Sequence, residues 1–158
     1  MTGPGEVEIS EPHSEEDWEQ YNTLRYEVLR KPHGQPRGSE SDHPLEPIST
    51  HLVAKLDGRI VGGGCWAMLS RPDGSGGRCK YARFRQIAVD PDCRGHGIAT
   101  KITDLIEASA QEQGAVEITG TTRDELIEYY RRKGYHTTGK GPTLFGTVGH
   151  THICKPLI

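Results

Sequence analysis

The stretch that most limits what this chain can become is Gln86-Ile-Ala-Val-Asp-Pro-Asp-Cys-Arg-Gly-His-Gly-Ile-Ala-Thr100. It opens as a strand that ends at Asp90-Pro91. A glycine-bearing turn, Arg94 to Gly97, then leads straight into a helix predicted over about 97–113. In that helix Ile98, Ile102, Leu105 and Ile106 form one apolar stripe, and Gly114 stops it in the left-handed position. The start of a helix presents N–H groups without intrahelical partners and carries a partial positive charge. Glycine removes the side chain that would keep an anion at a distance. Together these features predict a cradle for a phosphate or pyrophosphate. The plainer alternative is an ordinary strand-to-helix turn.

The flanking sequence supplies the rest of the order. A short strand is expected at Val7 to Ile9. Ser14 then caps a helix, with Asp17 in capping-box position, running to about Arg30. Its apolar side reads Trp18, Tyr21, Leu24/Arg25 and Val28/Leu29. Residues 31–49, rich in Pro, Gly, Ser and charge, read as a long loop, with a short helical turn as an alternative within it, of the kind that often carries function. Strands follow at 51–56, with Leu52, Ala54 and Leu56 on one face, and at 60–69, joined by the tight-turn pair Asp57-Gly58. Gly62, Gly63 and Gly64 inside the second strand signal a bulge or a close approach by another backbone or a ligand. After a flexible tip at 72–77 comes a strand at 80–89. Beyond the 97–113 helix, a strand at 116–120 precedes a short helix that Thr122 and Glu125 would cap and Gly134 would end. Strands near 135–138 and 149–155 close the chain. The order β-α-β-β-β-α-β-α-β-β suits an α/β (α+β) fold: a mixed central sheet with helices on both faces.

At 158 residues, a single domain over 1–158 is expected. With 33% hydrophobic residues, 20 glycines and 10 prolines, the core is modest and loops are many. A net charge of −3, well mixed, argues against a nucleic-acid partner, and no apolar run reaches the length of a membrane span. Met1 to Ser10 lacks the basic-then-apolar layout of a signal peptide. The four cysteines, at 65, 79, 93 and 154, include no Cys-x-x-Cys pair; an even count is compatible with a secreted disulfide frame, but without a signal-peptide layout they read as free thiols of a cytoplasmic protein.

Two segments resemble the GNAT superfamily of N-acetyltransferases. Arg94-Gly-His-Gly97-Ile-Ala99 matches that family's cofactor motif Arg/Gln-x-x-Gly-x-Gly/Ala and follows the characteristic Ile-Ala-Val-Asp-Pro at 87–91. Tyr130-Arg-Arg-Lys-Gly134-Tyr135 is similar to its Tyr-x-x-x-Gly-Phe/Tyr segment. The element order agrees throughout, and Leu24-Arg25-Tyr-Glu-Val28-Leu29 with His150 to Leu157 resembles the ElaA-like subgroup. The resemblance implies a GNAT-like fold and acetyl-CoA as co-substrate, with no metal. It implies that backbone groups of Ile87 and Val89 pair with the pantetheine arm, that Ala88 between them also belongs to the cofactor site, and that an N–H at 86–88 polarises the thioester carbonyl. The amides of Arg94, Gly95, His96, Gly97, Ile98, Ala99 and Thr100 would hold the pyrophosphate. Tyr130 would protonate the leaving thiolate, a role that suits a phenol, whose ordinary pKa of ~10 exceeds that of a thiol at ~8.5. A core aromatic is the plain alternative for Tyr130.

The amine must be neutral to attack, and some members of the family place a glutamate on the central strand for this. Here that strand, Tyr81-Ala-Arg83-Phe-Arg85-Gln86, has no carboxylate, so a base comes from elsewhere (His51, His150 and Asp73 are candidates) or water relays the proton. Arg83 and Arg85 share a strand face; lining a cleft they would favour an acidic acceptor, and otherwise they are solvated. Trp66, Tyr26 and the 31–49 loop are candidates for the acceptor's wall.

Other signals are weaker. Gly134 to Lys140 fits Gly-x4-Gly-Lys, but Gly141-Pro142 follows where a phosphate loop needs Ser or Thr and a helix. His150, His152 and Cys154 alternate on one strand face, three potential zinc ligands without a fourth. Gly95-His-Gly97 lacks the third glycine of a dinucleotide fingerprint. Cys93 beside the cradle is read as incidental. The expectation is therefore direct acetyl transfer from acetyl-CoA to the primary amine of a small molecule or peptide. Neither nucleic acid nor membrane is a partner, and a homodimer is compatible. The rival is a non-catalytic acyl-CoA sensor or complex subunit of the same fold.

Overall fold

Ser14 begins the first helix as its sequence asks: its Oγ accepts from the Asp17 amide at 3.0 Å, and three acids occupy the first turn. The Asp17 carboxylate reaches back to the His13 amide at 3.0 Å, one residue beyond a strict capping box, and pairs with Lys55 at 2.8 Å. This is seen in a computed structural model that describes residues 6–157. Met1–Gly5, half of the segment searched for a signal peptide, lie outside the described residues.

Among the described residues the elements are β1 (Glu8–Ser10), α1 (Glu15–Leu29), β2 (Thr50–Leu56), β3 (Arg59–Pro72), β4 (Arg78–Val89), α2 (Ile98–Glu112), β5 (Ala115–Arg123), α3 (Ile127–Arg132), β6 (His136–Leu144) and β7 (Val148–Pro156). The predicted order holds. The strands pair in the order β1-β2-β3-β4-β5-β7-β6. One pair, β4 with β5, is parallel, and α2 lies in the connection that a parallel pair requires. Segment 31–49 is a loop that carries three short 3₁₀ turns, Lys31–His33, Ser39–Ser41 and Glu46–Ile48. No helix among the described residues is long and apolar enough to cross a membrane.

The chain divides into two compact units. The first comprises the described residues up to Ala67 together with Gln86–Ile106. Its core brings Tyr21 and Leu24 of α1 onto Val53 and Ile60. The glycines of β3 explain how helices lie against both faces of this strand. A Cβ built on Gly63 would stand 2.7 Å from the Tyr21 ring of α1. Cβ atoms on Gly62 and Gly64 point the other way, 2.8 Å from Ile98 Cγ2 and 2.4 Å from Ile87 Cδ1, with Ile102 close to both. What crowds Gly62–Gly64 is chiefly the protein's own side chains, and a register shift between β2 and β3 lies beside Gly62.

The second unit comprises Met68–Arg85 and the residues from Glu107 onward. Here β5 pairs with β4 on one side and with β7 on the other, and β6 follows β7 at the edge. Three expectations need correction. Thr122 does not cap α3: the ladder with β7, Thr122 opposite Thr151, keeps it extended inside β5, and Glu125 pairs with Arg123 at 3.0 Å. The last strand but one does not stop at Thr138. As an edge strand it tolerates Gly139, Gly141 and Pro142 through two register shifts and continues to Leu144. On α2 the stripe uses Ile98, Ile102, Ile106 and Ala110, whereas Leu105 is 40% exposed. Thr103 is buried in its stead, its hydroxyl bonded to the Ala99 and Thr100 carbonyls.

Candidate active site

The turn ahead of α2 is anchored at its entrance. Asp90 N donates to the Val61 carbonyl at 2.8 Å, and the Asp90 carboxylate accepts from the Asp92 amide and from Arg59, both at 2.9 Å. The Asp92 amide, then Arg59, hold the Asp90 carboxyl below the usual carboxylate range. A single 3₁₀ turn, Pro91–Cys93, follows, and the buried Cys93 thiol lies 3.9 Å from Arg59 Nη2. Arg94 folds back, its Nε donating to the Val89 carbonyl at 3.3 Å. From there to Gly97 the chain is exposed. Gly95 and Gly97 both have positive φ, +86° and +76°, a backbone path of the kind that gathers N–H groups around an anion. A Cβ at either position would meet nothing within 4 Å. Lys101 N donates to the Gly97 carbonyl at 3.0 Å, closing the first turn of α2, and Ile98, 4% exposed, roots that turn in the core. Helix start, left-handed glycines and open space therefore coincide, as an anion cradle requires.

Ahead of the cradle, Ala88 and Val89 are buried and Ile87 is half-buried. The residue before them departs from strand geometry: Gln86 has φ +55°, in the left-handed region. Its side chain accepts from Arg25 Nη1 at 2.9 Å and donates to the Glu40 carbonyl at 2.7 Å. The chain pattern gave one hint of this arrangement, a charged residue, Arg25, on the apolar side of α1.

The acid–base candidates are placed differently. Tyr130, 4% exposed, stacks on Phe84 at 5.6 Å and meets Tyr135 and Tyr129 edge-on at 5.4 and 5.0 Å. Burial, then Tyr129, pushes its phenol well above the ordinary range, so it keeps its proton at neutral pH. His51 is buried, with Nδ1 2.8 Å from Tyr21 Oη and Nε2 3.8 Å from Glu46. His150 is buried, with Nδ1 2.9 Å from the Val148 carbonyl. Asp73 closes the β3–β4 tip by accepting from Ser75 Oγ at 2.7 Å and its amide at 2.9 Å. The Ser75 hydroxyl first, then that amide, lower its pKa and make it a poorer base. Arg83 is half-buried and donates to Thr121 at 3.2 Å, and Arg85 is 9% exposed, so neither is a solvated strand arginine. Trp66 is 4% exposed, and Tyr26 is half-buried beneath Arg37.

The possible metal groups are engaged elsewhere. His152 Nδ1 lies 2.9 Å from Thr121 Oγ1. Cys154 donates to Glu117 at 2.9 Å, and its thiol is pushed up to about 12 by burial, then by that carboxylate. Glu46, His51 and Cys65 bring ligand atoms within 4.8 Å of one another, but both oxygens of Glu46 already accept from Arg25. Gly134 to Lys140 runs into the edge strand and opens no helix. All four cysteines are free.

The acetyltransferase (GNAT) domain model matches residues 47–137, more than half of the chain and all of the cradle. The chain belongs to the GNAT acetyltransferase family. This GNAT protein is an acyl-CoA-dependent N-acetyltransferase with acetyl-CoA as its co-substrate. Its fold is shared with an acyl-CoA N-acyltransferase from Pseudomonas aeruginosa (TM-score 0.74, 16% identity, 94% of this chain and 97% of that one). Escherichia coli ElaA is similar at TM-score 0.71 and 13% identity, with 94% and 99% covered. An aminoglycoside 6'-N-acetyltransferase solved with coenzyme A is similar at TM-score 0.70 and 17% identity, with 96% and 97% covered.

Proposed function

We propose that residues 1–158 act as one GNAT domain that holds the diphosphate of acetyl-CoA on the amides of 94–100 and passes the acetyl group directly to a primary amine. The observation that carries this reading is the open, left-handed backbone at Gly95 and Gly97 at the start of α2. Ile87 and Val89 offer strand-like backbone groups to the pantetheine arm, and an N–H at 86–88 bonds the carbonyl oxygen as charge develops on it. The amine nitrogen bonds to the carbonyl carbon and the C–S bond breaks. Tyr130 gives its hydroxyl proton to the departing thiolate, a phenol being protonated at neutral pH. Proximity of the two bound reactants supplies much of the rate.

The amine's proton leaves through water. Asp73 is committed to its turn, and His51 and His150 are buried in hydrogen bonds of their own. The acceptor is a small molecule or a peptide, with the 31–49 segment and Tyr26 forming part of its wall. The four free thiols fit action in the cytoplasm.

An amine panel assayed by thiol release from acetyl-CoA tests the reading. At least one amine should be turned over, and Tyr130→Phe should lower kcat by roughly 10²-fold or more while CoA still binds. The profile of kcat/KM against pH should climb toward the acceptor's own pKa. A plateau set in the imidazole range would instead assign a histidine base.

A further inference from the structure

Arg25 is the largest side chain with almost no exposure, at 1%, and it lies on the packed side of α1. Nη1 donates to Glu46 Oε1 at 3.0 Å and to Gln86 Oε1 at 2.9 Å; Nη2 donates to Glu46 Oε2 at 3.1 Å and to Asn22 Oδ1. The guanidinium lies 4.3 Å from the centroid of the Tyr21 ring. A buried ion pair of this kind adds little net stability over apolar side chains of the same volume. It does add direction, because a planar fork fixes its partners in angle as well as in distance.

The partner fixed here is itself anomalous. A left-handed backbone is strained for a residue with a side chain and persists only where the surroundings over-determine it. Gln86 is over-determined at both ends of its amide, by Arg25 from α1 and by the Glu40 carbonyl from the 3₁₀ turn Ser39–Ser41. Glu40 is 3% exposed, and its carboxylate accepts from the Gly38 amide at 2.8 Å and faces Arg37 at 3.6 Å. Thus a strained residue immediately before Ile87–Val89 is clamped from two other elements at once. A left-handed residue in mid-strand re-aims the peptides that follow it.

We infer that Arg25 and Gln86 are positioning residues for acetyl transfer: the Arg25–Gln86–Glu40 clamp holds the left-handed step in β4 that aims the backbone groups of 86–89 at the acyl donor. The inference rests on the reading of 86–100 as the donor site. It makes α1 and the 31–49 segment part of the donor machinery although neither supplies a group to the donor itself.

The test compares the wild type with Gln86→Val, Gln86→Gly and the double variant Arg25→Met/Glu46→Leu. The last removes both charges at once, so that neither is left buried alone. Each is measured for melting temperature, for Kd of CoA by calorimetry, and for kcat and KM with the amine that gives most thiol release. Gln86→Val, which disfavours the left-handed step, should lose roughly 100-fold in kcat/KM for acetyl-CoA, the scale of a 1 Å misplacement. Gln86→Gly keeps that backbone accessible but releases the clamp, and with the double variant should lose roughly tenfold, part of it in CoA affinity. Should Gln86→Val fail to fold, the other two carry the test. A lower melting temperature with wild-type Kd and kcat/KM per folded molecule in Gln86→Gly and the double variant overturns this inference alone. A wild type that binds no CoA overturns the donor-site reading and the inference with it.

Discussion

Gly62–Gly64 of β3 and the pair Gly95 and Gly97 before α2 use the same residue for opposite ends. On β3, Cβ atoms would stand 2.4–2.8 Å from Tyr21, Ile87 and Ile98, so the missing side chain is space already filled by the protein. At 95 and 97 a Cβ would meet nothing, and the backbone has turned left-handed. The first group lets helices close on a strand, and the second leaves main chain bare where a ligand can reach it. In the sequence the two clusters differ in place, one inside a strand and one between a strand and a helix; the structure adds what stands beside each absent Cβ.

The comparison breaks most readily at Gly97. Gly97→Val should weaken CoA binding by roughly 100-fold, the loss of one or two charge-assisted hydrogen bonds. Calorimetry against the wild type measures it. Gly63→Ala should do the reverse: destabilise by about 1–3 kcal/mol through overpacking against Tyr21, while the folded fraction binds CoA as the wild type does. Thermal melts with a parallel titration separate the two effects, and a loss of affinity in folded Gly63→Ala would erase the distinction. Gly64→Ala should cost less than Gly63→Ala. Its nearest neighbour is the movable tip of Ile87, whereas the Tyr21 ring is fixed by His51.

The smallest effect concerns the anchor of the cradle. Asp90 has a depressed folded pKa, so its contribution is complete above the unfolded value near ~3.9 and fades as pH falls through the folded one. Asp90→Asn should therefore flatten the acid-side fall in melting temperature below about pH 4, by under ~1 kcal/mol for so accessible a pair. An unchanged slope would detach Asp90 from the turn's stability.

The strand, glycine turn and helix at 86–112 were legible because their signal is local: a strand end, two glycines and an apolar stripe lie within one short run. The element order was legible from periodicity and turn residues for the same reason. What escaped depends on neighbours remote in the chain. Thr122 has a capping residue's sequence context but is held extended by β7, and β6 passes through Pro142 because it lies at an edge. No residue type announces a left-handed Gln86, whose conformation is imposed by Arg25 and Glu40 from far along the chain. Arg25 on an apolar face was the one trace of that clamp.

The central claim is that the main chain from Arg94 to Thr100 grips the diphosphate. Amide chemical shifts of labelled protein, titrated with CoA and in parallel with pantetheine, which lacks the phosphates, address it residue by residue. Shifts seen with CoA and absent with pantetheine should concentrate at 94–100. If those amides respond alike to both ligands, or stay still while CoA binds, the diphosphate rests elsewhere and the account is contradicted.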